Sequence, residues 1–146
     1  LLIDPQGDSQ PNAIMLYGPQ GNFAPKMPKQ VEITCRASAV AIHILGGVGG
    51  WSFPASRAGS VSMIVRLHFA DGTTEDHNLI NGEHFADYIQ RVDVPKSEFA
   101  FDLDGRQIRY LSVRPTSKES LSKIELIKGP DGSAPVVMAI TIQTVE

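Results

Sequence analysis

Residues 61–80, VSMIVRLHFADGTTEDHNLI, alternate apolar and polar in two-residue steps and then meet Asp71-Gly72, after which a second alternating run begins. A two-residue period is that of a half-buried strand, and Asp-Gly supplies the positive φ of a tight turn, so the segment predicts a β-hairpin. Val61, Met63, Val65, Leu67 and Phe69 share one face, Ser62, Arg66 and His68 share the other, and Ile64 is the exception. A two-residue turn would set Ala70 opposite Thr73, His68 opposite Glu75 and Arg66 opposite His77, gathering an arginine, two histidines and a glutamate on the outer face.

The rest of the chain repeats this grammar. Its 13 glycines and 10 prolines interrupt every stretch, and apolar residues never hold three-and-four spacing for long, which argues against helices. Strands are expected near Ala13–Tyr17, Gln30–Cys35, Ala39–Leu45, Val61–Ala70, Thr73–Ile80, Phe99–Leu103, Gln107–Val113, Leu121–Lys128 and Val136–Thr144, with Ser120–Lys123 alternatively starting as a helical turn. Nine short strands are more than one flat sheet holds comfortably. The expected fold is all-β, an antiparallel two-sheet β-sandwich of jelly-roll type.

At 146 residues the chain reads as a single domain, residues 1–146, able to bury roughly two-thirds of the surface its unfolded form exposes. It begins with Leu1 and runs into Asp4-Pro5, with no charged segment or small-residue cleavage site, and so reads as a module excised from a larger protein. Net charge is −3 with acids and bases interspersed, which gives nucleic acid no electrostatic footprint. The longest apolar runs, such as Val136–Ile140, fall far short of the ~20 residues that span a bilayer as a helix. Cys35 is the only cysteine and shares a strand face with Val31 and Ile33, so a buried, inert thiol is expected.

Two loops are chemically dense. Residues 46–54, GGVGGWSFP, set Trp51 and Phe53 beside four glycines, where an indole could stack on a sugar ring or plug one end of the sandwich. The same segment lacks the Gly-Lys-Ser/Thr ending and following helix of a phosphate loop. Residues 81–88, NGEHFADY, carry His84, Asp87 and Tyr88. His77, His84 and Asp87, with Glu75 or Asp76, are the only grouping with transition-metal chemistry, although no zinc-site spacing is present. A structural calcium would draw on Asp4, Asp8 and Glu146 if the chain ends meet. Most other carboxylates sit in turn dipeptides such as Asp104-Gly105 and Asp131-Gly132, and no Gly-x-Ser-x-Gly elbow occurs. Arg109 would hydrogen-bond a ligand or pair with Asp87 or Asp102, while His43 reads as a hydrogen-bonded strand residue.

Four segments carry a family resemblance: AIHILGGVGGW at 41–51, VRLHFADGTTE at 65–75, LINGEHFADY at 79–88 and APVVMAIT at 134–141. On them the chain resembles the C-terminal β-sandwich modules of large secreted planctomycete-type proteins, some of them haem-binding or membrane-bound-dehydrogenase-like, and is similar in outline to galactose-binding-like jelly rolls. The resemblance implies an extracellular or periplasmic setting, a carbohydrate-binding or adhesion role and often a structural calcium; it brings no catalytic residues. The leading expectation is a non-catalytic module that binds carbohydrate, with Trp51 stacking and Arg66, His68, His77, His84, Asp87 and Arg109 as polar contacts. Two alternatives stand beside it: a structural or protein-interaction domain that packs on neighbouring domains of its parent, and a small metal-dependent enzyme. The carbohydrate reading requires Trp51 exposed beside polar groups in a concave site.

Overall fold

Alternation and turn chemistry carry almost the whole chain into strands. A computed structural model describes residues 12–144. Among them nine strands follow in order: β1 (Ile14–Met15), β2 (Gln30–Ala37), β3 (Ala39–Gly49), β4 (Val61–Phe69), β5 (Thr74–Ile80), β6 (Glu98–Leu103), β7 (Arg106–Val113), β8 (Leu121–Lys128) and β9 (Ala134–Thr144), with one 3₁₀ turn at Ala24–Lys26. They form a five-stranded sheet in the order β1-β9-β3-β7-β6 and a four-stranded sheet in the order β2-β8-β4-β5. Neighbours are antiparallel throughout. The β4–β5 and β6–β7 connections are hairpins; every other connection crosses between sheets.

The two sheets pack face to face as a β-sandwich. Ile42, Ile44, Leu111, Val113 and Val137 from the larger sheet meet Met63, Val65, Leu67, Leu79, Ile124 and Leu126 from the smaller, all buried. Each such side chain contributes about 1.5–3 kcal/mol by leaving water. Leu16 and Phe85 close the layer from the connecting segments. Cys35 packs, partly buried, against this core, and burial pushes its thiol pKa up, away from reactivity.

Two expectations need correction. The hairpin turns at Asp71-Gly72, but over a four-residue loop: Phe69 N–H donates to Thr73 O, and the pairs are His68 with Thr74, Arg66 with Asp76 and Val65 with His77. The Asp71 carboxylate takes both the N–H and the hydroxyl of Thr73, which fixes the longer loop. A one-residue slip turns a strand over. Glu75 and His77 therefore share the core-side face of edge strand β5 with Leu79, and Asp76 takes the place beside Arg66.

Second, β3 runs four residues beyond Leu45, because Gly46–Gly49 pair with β9 from Val137 to Ala134. A side chain at Gly46 would overlap the Val136 carbonyl, and one at Gly49 would overlap the Tyr88 ring. The glycines continue a strand there instead of forming a free loop. The strand expected at Leu121–Lys128 is present as β8, paired with β2 and β4, and the alternative helical turn at Ser120–Lys123 does not form.

Candidate functional site

Trp51 stands where β3 ends. Gly50 (φ 90°) and Trp51 (φ 63°) are both left-handed, so the chain swings out of the sheet and leaves the indole 64% exposed. A left-handed tryptophan costs on the order of 1 kcal/mol and persists only where its surroundings impose it. Here they do. Ser52 N–H donates to Asp87 Oδ2 at 2.9 Å, Asp87 Oδ1 takes Ile89 N–H at 3.1 Å, and Asp87 N–H donates to Phe53 O at 2.8 Å. Buried Asn81 adds a second clamp, accepting Phe53 N–H and donating to Ser56 Oγ and the Arg57 carbonyl.

The indole separates two depressions. One, of about 300 Å³, is lined by Met15, Phe23, Tyr88 and Ile89 together with Gln20 and Asn22. Phe23 is 63% and Ile89 55% exposed, so apolar surface is concentrated beside Trp51. The other, of about 280 Å³, is polar, with Ser56, Arg57, Asn81, Asp131 and Ser133 on its walls. Ligand clefts span roughly 300–1,000 Å³ and combine an apolar lining with a few fixed polar groups, a description the pair fits.

Asp131 builds the floor of the polar side. Its Oδ1 accepts from Lys128 Nζ (2.9 Å), Ser133 N–H (3.0 Å) and Ser133 Oγ, and its Oδ2 from Ser60 Oγ (2.9 Å) and Ser62 Oγ (2.7 Å). Burial raises the carboxyl pKa, but the hydrogen bonds from Ser133, Ser62 and Lys128 outweigh it and hold it below the usual carboxylate range. Lys128 spends its three N–H bonds on Gly129 O, Asp131 O and Asp131 Oδ1. An ammonium so used is no general base, and the serines around it serve the carboxylate.

The other sequence-predicted residues lie elsewhere. Arg66 and His68 project from the outer face of the four-stranded sheet, where Arg66 pairs with both oxygens of Asp76 (2.7 and 2.8 Å), His68 meets Glu125 (2.9 Å) and Lys123 meets Glu32 (2.6 Å). These side chains satisfy one another. His77 is not among them: its Nε2 lies 2.7 Å from Glu75 Oε1 in an orientation that makes no hydrogen bond, while Glu75 takes Thr116 N–H and Oγ1 from the β7–β8 loop. His84 Nδ1 accepts Ile80 N–H at 3.0 Å, and burial lowers its pKa, favouring the neutral ring.

Asp87 is buried beneath the loop it holds, so it positions Trp51 and does not face solvent. Arg109, 1% exposed, points inward from β7. Its guanidinium donates to Ser97 Oγ and O, Val92 O and Gln107 Oε1 and pairs with Asp93, tying down the segment before β6. Neither Asp87 nor Asp102, the expected partners, meets it; Asp102 instead caps Gly105 N–H. His43, as expected, is held in its strand by Tyr110 and Gln143.

His77, His84 and Asp87 do not converge, and among the described residues no three His, Cys, Asp or Glu side chains form a metal-holding group. Asp4, Asp8 and Glu146 lie outside the described residues. Sequence reasoning missed Phe23, Arg57, Ile89 and Asp131. Phe23 and Ile89 are lone apolar residues in polar loops, and Asp131 is masked as a turn residue by Gly132. Only the crossing of four connections at one end of the sandwich brings them together.

No protein-family model, curated protein or solved structure matches this chain. What defines its class is the architecture itself: an antiparallel β-sandwich with an aromatic-lined, two-sided cleft at one loop end.

Proposed function

We propose that this chain is a non-catalytic carbohydrate-binding module of jelly-roll type, appended to a larger secreted protein, with its contact surface at Trp51. The observation that carries the reading is the indole held exposed by Asp87 between an apolar and a polar depression. A sugar ring has an apolar C–H face and a rim of hydroxyls. An aromatic plane takes the first, and Gln20 and Ser56 supply hydrogen-bonding groups for the second. Because the loop is clamped before ligand arrives, little ordering entropy is lost on binding. The saturated Asp131–Lys128 pair favours binding over acid–base chemistry, since neither group is free to exchange a proton with a ligand.

The test is the intrinsic fluorescence of Trp51 during titration with a glycan panel, with and without calcium. A saturable change confined to a subset of glycans, abolished in Trp51→Ala with an unchanged melting temperature, is the expected result. Silence across the panel, or undiminished binding by Trp51→Ala, would overturn the reading.

One observation favours a second reading, a domain that packs on neighbours within its parent. A groove of about 240 Å³ on the outer face of the five-stranded sheet is lined almost wholly by apolar groups, including Met15, Leu103, Ile108, Val136 and Met138. Ile108→Lys would then disrupt assembly with a neighbouring domain and leave glycan binding intact.

A further inference from the structure

Charge in the Trp51 cleft bears on the kind of glycan that fits, an inference that rests on the carbohydrate reading above. Among the described residues only two charged ones, Arg57 and Asp131, line the two depressions. Asp131 has no capacity left: five donors converge on its two oxygens, and the Lys128 ammonium among them cancels its charge at 2.9 Å. Arg57 is the opposite case. Its carbonyl is fixed by buried Asn81, yet its guanidinium makes no ion pair or hydrogen bond with any described residue. Among the described residues Arg66, Arg91, Arg106 and Arg109 each have an acidic partner; Arg36 and Arg114, like Arg57, have none, but neither of them lines the cleft. Among the described residues the cleft therefore carries one positive charge without an acidic partner, on a chain whose net charge is −3, so the cation does not belong to a generally basic surface.

We infer that the Trp51 cleft selects an anionic glycan, one whose ring stacks on the indole while its carboxylate or sulfate is taken by Arg57. A guanidinium presents two parallel N–H donors that match either oxyanion, and a hydrogen bond between charged groups is about twice as strong as a neutral one. Ser56 and Gln20 on the same walls remain for neutral hydroxyls.

Matched probes isolate the charge. Oligogalacturonate is compared with its methyl ester, which keeps the ring and loses the anion, and a sulfated galactan with its desulfated form; the stronger pair identifies carboxylate or sulfate. The wild-type protein is expected to bind one charged probe at least about tenfold more tightly than its neutral partner, with affinity falling as salt rises. Arg57→Gln should erase that preference while keeping the neutral affinity and the melting temperature; Arg57→Lys should restore part of it. Equal binding of charged and neutral probes by the wild type, or a preference that survives in Arg57→Gln, overturns the inference and leaves the carbohydrate reading standing. Absence of binding to every probe overturns both.

Discussion

Asp131 and Lys128 show how much a single buried pair can carry at one end of a sandwich. Their side chains are 9% and 5% exposed, and together they hold the segment against which Gly50 packs. Asp131→Ala would leave the ammonium buried without its partner, a loss of about 3–5 kcal/mol that denaturant unfolding would register. The pH dependence has a definite sign. The folded-state pKa of Asp131 is depressed, so its stabilisation is complete above the unfolded value of about 3.9 and is lost as pH falls through the lower folded value. Melting temperature followed below about pH 4 should therefore fall less steeply in Asp131→Asn than in the wild type, although the variant starts less stable. Asp87→Ala removes the acceptor of Ser52 N–H and Ile89 N–H. It should cost about 1–3 kcal/mol and loosen Trp51, read as a red shift and lower anisotropy of its emission. None of these partnerships was legible in the residues themselves: Asp131-Gly132 has the composition of an ordinary turn, and its ligands come from positions 60, 62, 128 and 133.

Among the elements, the β4–β5 hairpin separates what local chemistry decides from what it leaves open. Alternation placed Met63, Val65, Leu67 and Phe69 in the core, and Asp71-Gly72 located the turn. Loop length was another matter, because Asp-Gly serves both a two-residue turn and the four-residue loop that the Asp71–Thr73 hydrogen bonds select. Glycines divide in the same way. Gly72 is needed for its φ of 86° and has open space around it, so Gly72→Ala should cost about 1 kcal/mol from backbone conformation alone. Gly46 is needed because β9 lies against it: a methyl there meets the Val136 carbonyl, and Gly46→Ala should cost more, up to about 3 kcal/mol. Chemical denaturation of both variants checks the order, and a larger loss at Gly72 would contradict this account of β3.

Across the whole molecule, the two faces of the four-stranded sheet behave very differently. Inside, apolar side chains from both sheets supply most of the stabilisation; outside, Glu32–Lys123 and Arg66–Asp76 are ion pairs open to water, and His68 meets the more buried Glu125. Exposed pairs contribute little, so Arg66→Ala and Lys123→Ala should leave the unfolding midpoint close to that of the wild type. The strand order also predicts slow folding. β9 pairs with β3 across the length of the chain, Ile142 opposite Ile42, so loop closure must precede its stabilising contacts. Refolding followed by stopped-flow circular dichroism should fall in the millisecond-to-second range typical of β-sandwiches. By itself the sequence determined the strands, the inward apolar faces and the placing of the turns, because alternation and turn residues act over a few positions along the backbone. Only the tertiary structure decided the hairpin register, the strand character of Gly46–Gly49, the inward turn of Arg109 and the cleft at Trp51. The last three depend on contacts between residues far apart in the chain, which no local pattern encodes, and the register on Asp71–Thr73 hydrogen bonds that an Asp-Gly turn permits but does not require.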